Sequence, residues 1–373
     1  MLVSKTERSN LHSIDWALLA IVLSICVIGI INIYSAGYTF SAAEKQLPFY
    51  IKQIQWVLLG MIAMTITYFI DYRFIVKGAY VIYGICVAFL LLVYFVGYTM
   101  HGSQRWLSLG GFAFQPSEPM KLALILFLAR YFEDHKSVKP YKLRELVVPL
   151  FFVLVPFALI LKQPDLGTAM ILILISASVI FFLGVNWKSF IIAFSGFLLS
   201  VPVVWHFLKD YQKERLIIFF NPERDPLGAG YHIIQSMIAV GSGGLFGKGF
   251  LNGTQTQLKF LPEQQTDFVF SVFAEEWGFV GGFILILLLM ILIFWCLKIA
   301  LHARNLSGTV IAFGIVALFS WQIFINIGMV LGVLPVVGIP LPFLSYGGSA
   351  MISFMAATGL LMNINARRFI LHE

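Results

Sequence analysis

Long apolar runs recur along almost the whole chain, and they restrict the folds that it can adopt. A membrane-spanning helix needs about 20 predominantly apolar residues, because the hydrocarbon layer is about 30 Å thick. With 60% hydrophobic and only 12% charged residues, the 373-residue chain does not fit a soluble domain. We predict an all-α membrane protein that forms a single polytopic domain over residues 1–373. Its predicted transmembrane helices number about ten and cover residues 14–34, 50–70, 79–98, 117–131, 146–161, 167–184, 189–207, 267–297, 308–334 and 345–369.

The placement of lysine and arginine predicts the orientation of these helices. Basic residues concentrate in short cytoplasmic segments. If the amino terminus is cytoplasmic, 14 lysine and arginine residues lie in cytoplasmic segments and 4 lie in the short outer segments. Both termini are then cytoplasmic, and the first run is predicted to be a retained anchor because no small-residue cleavage site follows it. The net charge of +7 reflects this topology and requires no nucleic-acid partner.

One large extracytoplasmic loop is predicted at about residues 209–265. It is rich in glycine, proline and asparagine, and residues 231–240 within it predict a short interfacial helix. The glycine-rich stretch 241–249 lacks the spacing of a phosphate-binding P-loop. The cysteines lie within predicted spans and the histidines show no ligand spacing, so no disulfide framework or metal site is predicted.

The junction between this loop and the eighth predicted helix carries three acidic residues, Asp267, Glu275 and Glu276. Ionisable groups near the hydrocarbon layer are costly and usually functional. Taken alone, Asp267 is better explained as a helix N-cap, with Thr266 as a competing cap. Capping cannot explain carboxylates about 12 Å further along the helix, where Glu275 is turned about 80° from Asp267 and Glu276 about 180°. The alternative for this pair is a buried hydrogen-bonding site between helices.

A second group of polar residues lies near the outer ends of other predicted helices. Glu118 and Lys121 are three residues apart, so they share a helix face and can pair. In the structural interpretation, Ser117 caps the helix, Glu118 meets its positive end and Lys121 neutralises Glu118. Against this, Lys121 lies a full turn into apolar sequence, where a lysine with only a structural role is costly.

Three further charged residues lie in outer connections. Lys162 and Asp165 join the fifth and sixth predicted spans, and Arg105 lies in the loop before the fourth. Asp165 also fits a simple N-cap, and an arginine at the membrane rim is more often a lipid-headgroup anchor than a catalytic residue.

Several long motifs together resemble the SEDS family of bacterial cell-wall polymerases, and the resemblance covers essentially the whole chain. Within that family, residues 247–255, 260–267 and 326–338 are more similar to the members that serve cell elongation than to those of division or sporulation. The motifs are Gln115-Pro-Ser-Glu118, Gln163-Pro-Asp-Leu-Gly-Thr168, Arg224-Asp-Pro-Leu-Gly-Ala-Gly-Tyr231, residues 235–249, residues 260–278 and Pro340-Leu-Pro-Phe-Leu-Ser-Tyr-Gly-Gly348.

This resemblance implies a GT-C-like fold of ten helices. It also implies that the protein polymerises lipid II outside the cytoplasmic membrane and thereby maintains rod shape during elongation. It implies a class B penicillin-binding transpeptidase as partner, together with other elongation-complex membrane proteins and membrane lipids. Asp267 matches the essential acid of the family. The positions that match its outward-facing cavity are Arg105, Glu118, Lys121 and Asp165, with Lys162 and the pair Glu275 and Glu276 also fitting the pattern.

These residues suggest one mechanism. A sugar hydroxyl attacks the anomeric carbon of a second lipid-linked glycan and expels a lipid pyrophosphate. Asp267 is the candidate base, because a hydroxyl is a poor nucleophile until a positioned carboxylate accepts its proton. Arg105 and Lys121, with Glu118 holding Lys121, are the candidates that stabilise the pyrophosphate. A divalent cation such as Mg²⁺ is a further candidate.

Two other functions fit parts of the sequence. A flippase or transporter of lipid-linked cell-wall precursor would also place charges among about ten helices, but transporters bind near the midplane between repeats. The polar residues here lie mainly on the outer side, and the sequence shows no inverted repeat. A scaffold that recruits enzymes through its large loop would depend on that loop and on no single acid.

Overall fold

The computed structural model describes residues 14–38, 48–100, 103–109, 112–137, 139–189, 228–258, 260–261 and 263–368, and isolated positions between 191 and 225. Within these residues the chain forms twelve helices and three short strands. The helices are α1 Trp16–Gly37, α2 Phe49–Phe69, α3 Tyr72–Lys77, α4 Ala79–Val96, α5 Ser117–Asp134, α6 Leu143–Lys162, α7 Leu166–Phe182, α8 Ala229–Ser242, α9 Thr254–Gln257, α10 Val269–Leu301, α11 Leu306–Val330 and α12 Gly348–Arg367. The strands are β1 Tyr98–Met100, β2 Ser103–Leu109 and β3 Phe112–Phe114.

Helices at nine of the ten predicted spans are present in the described part of the chain, and the protein is a multi-pass membrane protein. Seven of these helices, α1, α2, α4, α6, α10, α11 and α12, are long and apolar enough to cross a bilayer by themselves. Helix α7 has only 17 residues, and α5 is not among the seven. The predicted span 189–207 lies almost entirely outside the described residues, so the count of ten stays a prediction.

A small antiparallel sheet connects α4 to α5, which the all-α prediction did not include. Strand β2 lies between β1 and β3, and its register with β3 pairs Leu107 with Phe114. The strands have only three, seven and three residues, so the local sequence gives a weak strand signal. The sheet places Arg105, a residue of β2, at the end of the bundle where α4 ends and α5 begins.

Helices α11 and α12 form the centre of the molecule and are more deeply buried than the other membrane-length helices. Helix α12 packs along α2, and glycines allow the two backbones to approach closely. A Cβ atom at Gly60 would lie 2.7 Å from the Met355 side chain, and one at Gly359 would lie 2.3 Å from the Met64 carbonyl oxygen. Small residues at such contacts are typical of helices that pack within membranes.

The described part of the large loop is folded. Helix α8 covers the predicted interfacial helix 231–240 and packs against α10 and α11. Its buried Ser236 hydroxyl donates to the Val330 carbonyl oxygen at 2.8 Å. The loop therefore packs on the end of the bundle at which α10 begins.

The stretch that follows α8 is hydrogen-bonded into the body of α10. The amides of Lys248 and Gly249 donate to the carbonyl oxygens of Glu275 and Glu276, each at 3.0 Å. Those carbonyls would otherwise accept from the amides four residues later in the same helix. We call residues 244–249 together with 275–280 the helix–loop splice.

The displaced helix amides find partners in the same loop. Phe279 and Val280 donate to the carbonyl oxygens of Gly244 and Leu245, at 2.8 and 3.0 Å. Helix α10 breaks between the two halves at Gly278, whose φ of 66° and ψ of −164° suit only glycine. The two helix carbonyls and the two helix amides at the break therefore all remain hydrogen-bonded. The break also sets the direction of the first turns of α10.

Candidate active site

Asp267 lies in a tight turn just before α10. The amides of Thr266 and Phe268 both donate to the Glu263 carbonyl oxygen, which forms the turn. The N-cap position of α10 is occupied by Phe268, whose side chain cannot accept a hydrogen bond. The Thr266 hydroxyl donates back to Glu263. Neither predicted residue therefore stands at the N-cap position, and the angles predicted from a helix continuing through Asp267 do not apply.

A buried asparagine near the C-terminal end of α11 fixes the position of this turn. The Asn326 side-chain amide donates to the Asp267 carbonyl oxygen at 2.9 Å and to the Ile339 carbonyl oxygen at 2.8 Å. Gly338, with a φ of 70°, lies beside the acid, and a Cβ atom there would be 3.2 Å from Asp267 Oδ2. The Asp267 side chain is half-buried. A bulkier residue at position 338 would crowd the carboxylate.

The segment after Gly338 adds a second set of bonds to the turn. The Ser345 hydroxyl donates to the Thr266 carbonyl oxygen at 2.6 Å and accepts from the Leu341 amide at 2.8 Å. The Tyr346 amide donates to the Gln265 carbonyl oxygen at 2.9 Å. The backbone on which Asp267 lies is thus held from two sides.

Glu118 and Lys121 form the predicted pair in the first turns of α5. Lys121 Nζ lies 2.8 Å from Glu118 Oε1, and the two residues are 1% and 2% exposed. The ammonium also lies 5.8 Å from the centre of the Phe354 ring. Within the described structure, Glu118 Oε2 and the Ser117 hydroxyl are buried without a hydrogen-bond partner. The capping role considered for Ser117 is therefore wrong.

Arg105 and Asp165 are brought together as a second ion pair. Arg105 Nη1 lies 3.4 Å from Asp165 Oδ2, and Nη2 donates to the Pro164 carbonyl oxygen. Asp165 is also the N-cap of α7, since it accepts from the Thr168 amide at 3.1 Å and from the Thr168 hydroxyl at 2.9 Å. The Arg105 side chain keeps about one fifth of its surface exposed (21%). Arg105 is therefore the most exposed of the four residues in the two ion pairs.

Both ion pairs border the segment that lies beside Asp267. At the start of α7, a Cβ atom on Gly167 would lie 2.5 Å from the Val337 carbonyl oxygen, one residue before Gly338. At the start of α5, the Gln115 amide donates to the Ser349 hydroxyl at 3.0 Å. Lys162 lies in the same region but is exposed at the end of α6.

Glu275 occupies a different kind of site, inside the helix–loop splice. Its carboxylate is 0% exposed and accepts five hydrogen bonds. These come from Lys248 Nζ at 2.8 Å, the Thr254 hydroxyl at 3.1 Å, the Gln255 amide at 2.9 Å, and the amide and hydroxyl of Thr256 at 3.3 and 3.1 Å. The geometry favours the structural alternative, in which Glu275 fixes the loop. Its predicted contact with substrate receives no support from this arrangement.

Glu276 faces the opposite way, towards α1. It is 1% exposed, and its Oε1 accepts from the Ser35 hydroxyl. Its Oε2 is unpartnered among the described side chains. The two adjacent acids therefore serve two different contacts.

Three residues of this site were not singled out as candidates from the sequence. Asn326, Gly338 and Ser345 were noticed only within the motifs that carry the family resemblance. A signal did exist for Asn326, since a buried amide in an apolar helix must find a partner. Gly338 and Ser345 could be identified only from the tertiary structure, because their partners lie about 70 or more residues away in the chain.

The described residues contain no group of three or more His, Cys, Asp or Glu side chains close enough to hold a metal ion. Three candidate carboxylates lie on or next to elements that contact the segment 337–349, namely Glu118 and Asp165, each already in an ion pair, and Asp267. A metal centre built from protein ligands alone does not fit this set.

Comparison with known proteins assigns these features to one family. The family described as "Cell cycle protein", which comprises FtsW, RodA and SpoVE, matches residues 15–369. Among curated proteins, the peptidoglycan glycosyltransferase MrdB of Escherichia coli is 42% identical, over 99% of this chain and 98% of that protein. Peptidoglycan glycosyltransferase RodA of Treponema pallidum is 36% identical, over 95% of this chain and 98% of its own length.

Solved structures show the same similarity. One chain of a peptidoglycan synthase complex that coordinates polymerization and crosslinking has a TM-score of 0.81 and 35% identity, covering 95% of this chain and 98% of that chain. The rod shape determining protein RodA of Thermus thermophilus has a TM-score of 0.71 and 29% identity, covering 96% of this chain and 98% of that chain.

Proposed function

This chain belongs to the FtsW, RodA and SpoVE family, and we propose on that premise that it is a peptidoglycan glycosyltransferase. It polymerises lipid II into glycan strands on the outer face of the cytoplasmic membrane during cell elongation. The observation that carries the proposal is the 42% identity to a peptidoglycan glycosyltransferase over 99% of the chain. The polar groups gathered around residues 337–349 support it.

Asp267 is the proposed general base. The hydroxyl of one lipid-linked sugar attacks the anomeric carbon of the other, its proton passes to the Asp267 carboxylate, and the lipid pyrophosphate departs. A positioned base of this kind contributes about 10²–10⁴-fold to such a transfer. The bonds from Asn326 and Ser345 to the backbone of the turn would keep the carboxylate in place while the substrates change.

The departing pyrophosphate needs positive charge close to it. Arg105 is the better candidate for direct contact, because its guanidinium is partly exposed while Asp165 and Pro164 hold it on one side. Lys121 is buried, so we propose that it contributes positive electrostatic potential to the site without touching the substrate. Glu118 then positions the Lys121 ammonium. Lys162, exposed nearby, is proposed to attract the anionic substrate.

A divalent cation such as Mg²⁺ remains part of the proposal only as a companion of the substrate. Mg²⁺ usually keeps several waters and is bound by one or two carboxylates plus substrate phosphates. No step above depends on it.

The partner and the location follow from the same premise. One structural relative is a chain of a complex that coordinates polymerization with crosslinking. We propose that this chain works with a class B penicillin-binding transpeptidase in the bacterial inner membrane, alongside other elongation proteins. Both termini are proposed to be cytoplasmic, which places the Asp267 end of the bundle outside.

The decisive experiment supplies purified protein with lipid II in detergent and measures glycan polymer on a gel. Asp267→Asn keeps the shape of the side chain but cannot accept the proton, so polymer should fall by about 10²–10⁴-fold. Glu145→Gln, an exposed acid at the start of α6, is the matched control and should polymerise normally. Wild-type synthesis by folded Asp267→Asn would remove the base assignment.

The same preparation separates the flippase alternative. Reconstituted in vesicles, a flippase would move labelled lipid II between leaflets without forming polymer, whether or not residue 267 is acidic. Polymer formation that depends on Asp267 excludes that function as the main one.

A further inference from the structure

A groove lies at the end of the bundle opposite the candidate active site. Its volume is about 360 Å³. It lies where α4 begins and α5 ends, whereas the sheet that carries Arg105 connects the other ends of these two helices. The groove is lined by Tyr80, Tyr83, Phe127, Tyr131, His135, Val148 and Phe152.

The floor of the groove is a packed cluster of aromatic rings. The Phe127 ring centre lies 4.9 Å from that of Tyr83 and 4.7 Å from that of Phe152. The Tyr83 hydroxyl donates to the Phe152 carbonyl oxygen at 2.6 Å, so its polar end is already bonded. The groove therefore offers an apolar surface that needs no polar partner from a ligand.

The groove opens sideways, to the region where the bilayer lies. Val148 on one wall and Tyr80 on the other are 48% and 42% exposed. Both α4 and α6 are membrane-length helices, and the residues beside the opening are also exposed and apolar, Val147 at 59% and Phe151 at 60%. A ligand that enters from the side would come from the hydrocarbon layer.

The connection between α5 and α6 places positive charge next to this opening. Lys136, Lys139, Lys142 and Arg144 are exposed there. The acids in the same stretch are engaged. Asp134 lies 2.9 Å from Arg130 Nε and accepts from the Tyr80 hydroxyl, Glu145 accepts from the Lys142 amide, and Glu133 accepts from the Ser307 hydroxyl.

We propose that this groove binds an acyl chain of an anionic phospholipid, whose headgroup contacts the lysines of the α5–α6 connection. A volume of this size suits a chain-like ligand. Basic clusters beside a membrane helix are the recognised pattern for anionic headgroups. The site is separate from lipid II chemistry, because it lies at the other end of α4 and α5.

Native mass spectrometry of the full chain in detergent tests the proposal, with dioleoylphosphatidylglycerol and dioleoylphosphatidylcholine as the two lipid probes. We expect the anionic lipid to bind at least about fivefold more tightly, which corresponds to the attraction of about one basic residue. Val148→Trp fills the groove and should weaken the anionic lipid by about the same factor or more. Val147→Trp adds the same bulk one residue away, outside the lining, and should leave its affinity unchanged.

A charge variant tests the headgroup contact separately. Lys136→Gln with Lys142→Gln should reduce phosphatidylglycerol affinity and leave phosphatidylcholine affinity unchanged, whereas Lys298→Gln, at the end of α10, should change neither. Gel filtration of each variant reports whether it remains folded. Equal affinities for the two lipids in the wild-type protein, or equal losses in Val147→Trp and Val148→Trp, would overturn the proposal.

Discussion

Two lysine–glutamate ion pairs in this protein have the same length and different surroundings. Lys121 and Glu118 in α5 lie 2.8 Å apart, and so do Lys248 and Glu275 in the helix–loop splice. Every oxygen of Glu275 is hydrogen-bonded, and Lys248 reaches solvent with 25% of its side chain exposed. The α5 pair is buried at both members, and Glu118 Oε2 has no partner among the described residues.

The comparison shows that ion-pair distance alone does not reveal the role of a pair. A buried pair with complete hydrogen bonding repays part of its desolvation cost and fixes local structure. A buried pair in which one carboxylate oxygen accepts no hydrogen bond loses stability through desolvation of that oxygen. Such an arrangement persists where chemistry requires the charges. We therefore predict a structural role for Glu275, and the predicted functional role of the Glu118–Lys121 pair stays open to test.

The largest expected effect distinguishes these roles in α5. Lys121→Met leaves the Glu118 carboxylate buried without its cation, which should cost about 3–5 kcal/mol of stability. Glu118→Gln combined with Lys121→Met removes both charges and should recover most of the melting temperature. If the pair is functional, polymerisation stays lost in this stable double variant. Recovered polymerisation would instead identify the pair as a structural element.

The next effect concerns the splice. Glu275→Gln keeps the shape but turns an amide towards Lys248 and its neighbouring donors, so stability should fall by about 2–3 kcal/mol. Polymerisation per folded molecule should stay near the wild-type level. Glu276→Gln is the matched control, since one of its oxygens makes no bond within the described chain, and it should cost clearly less. The reverse order of melting temperatures would contradict the assignment.

A smaller effect is expected from the backbone of the same region. Gly278→Ala places a Cβ atom 2.2 Å from the Gly247 amide nitrogen at a φ of 66°. With a ψ of −164°, this backbone conformation is essentially restricted to glycine and costs another residue about 1–3 kcal/mol, and relief of the clash adds to this. Gly84→Ala, in α4 with open space around its Cβ, should be neutral or slightly stabilising. Thermal unfolding in detergent measures both.

The smallest expected difference lies between two serines. Ser345→Ala removes a hydroxyl that makes two bonds near Asp267 and should cost about 1–3 kcal/mol. Ser117→Ala removes a buried hydroxyl that finds no partner in the described structure, so the change should be neutral or slightly stabilising. Equal losses of melting temperature in the two variants would show that Ser117 has a partner in solution.

The helical class and the positions of most spans could be predicted because they depend on apolar content, which is a local property. Helix α8 was predicted within the loop for the same reason. The sheet formed by β1, β2 and β3 was not predicted, because its strands have only three, seven and three residues and lie between long apolar helices. The break at Gly278 was also missed, because the loop that replaces its hydrogen bonds lies about 30 residues earlier in the chain.

The candidate site was predicted in part. The type of residue at positions 105, 118, 121, 165 and 267 indicated function, and the structure arranges them around one segment, 337–349. The sequence could not decide between the two interpretations of Glu275, since helix periodicity assumes one continuous helix through Asp267. Their catalytic and binding roles stay predictions until the variants are measured.

The helix–loop splice also has a consequence for how this region fluctuates. Its four backbone hydrogen bonds join the loop residues 244–249 to the helix residues 275–280, so separating these two segments breaks all four bonds together. In a deuterium-exchange measurement, the amides of Lys248, Gly249, Phe279 and Val280 should gain mass at a common rate. Opening of the splice would then be an all-or-none event that frees the first turns of α10 at the same moment.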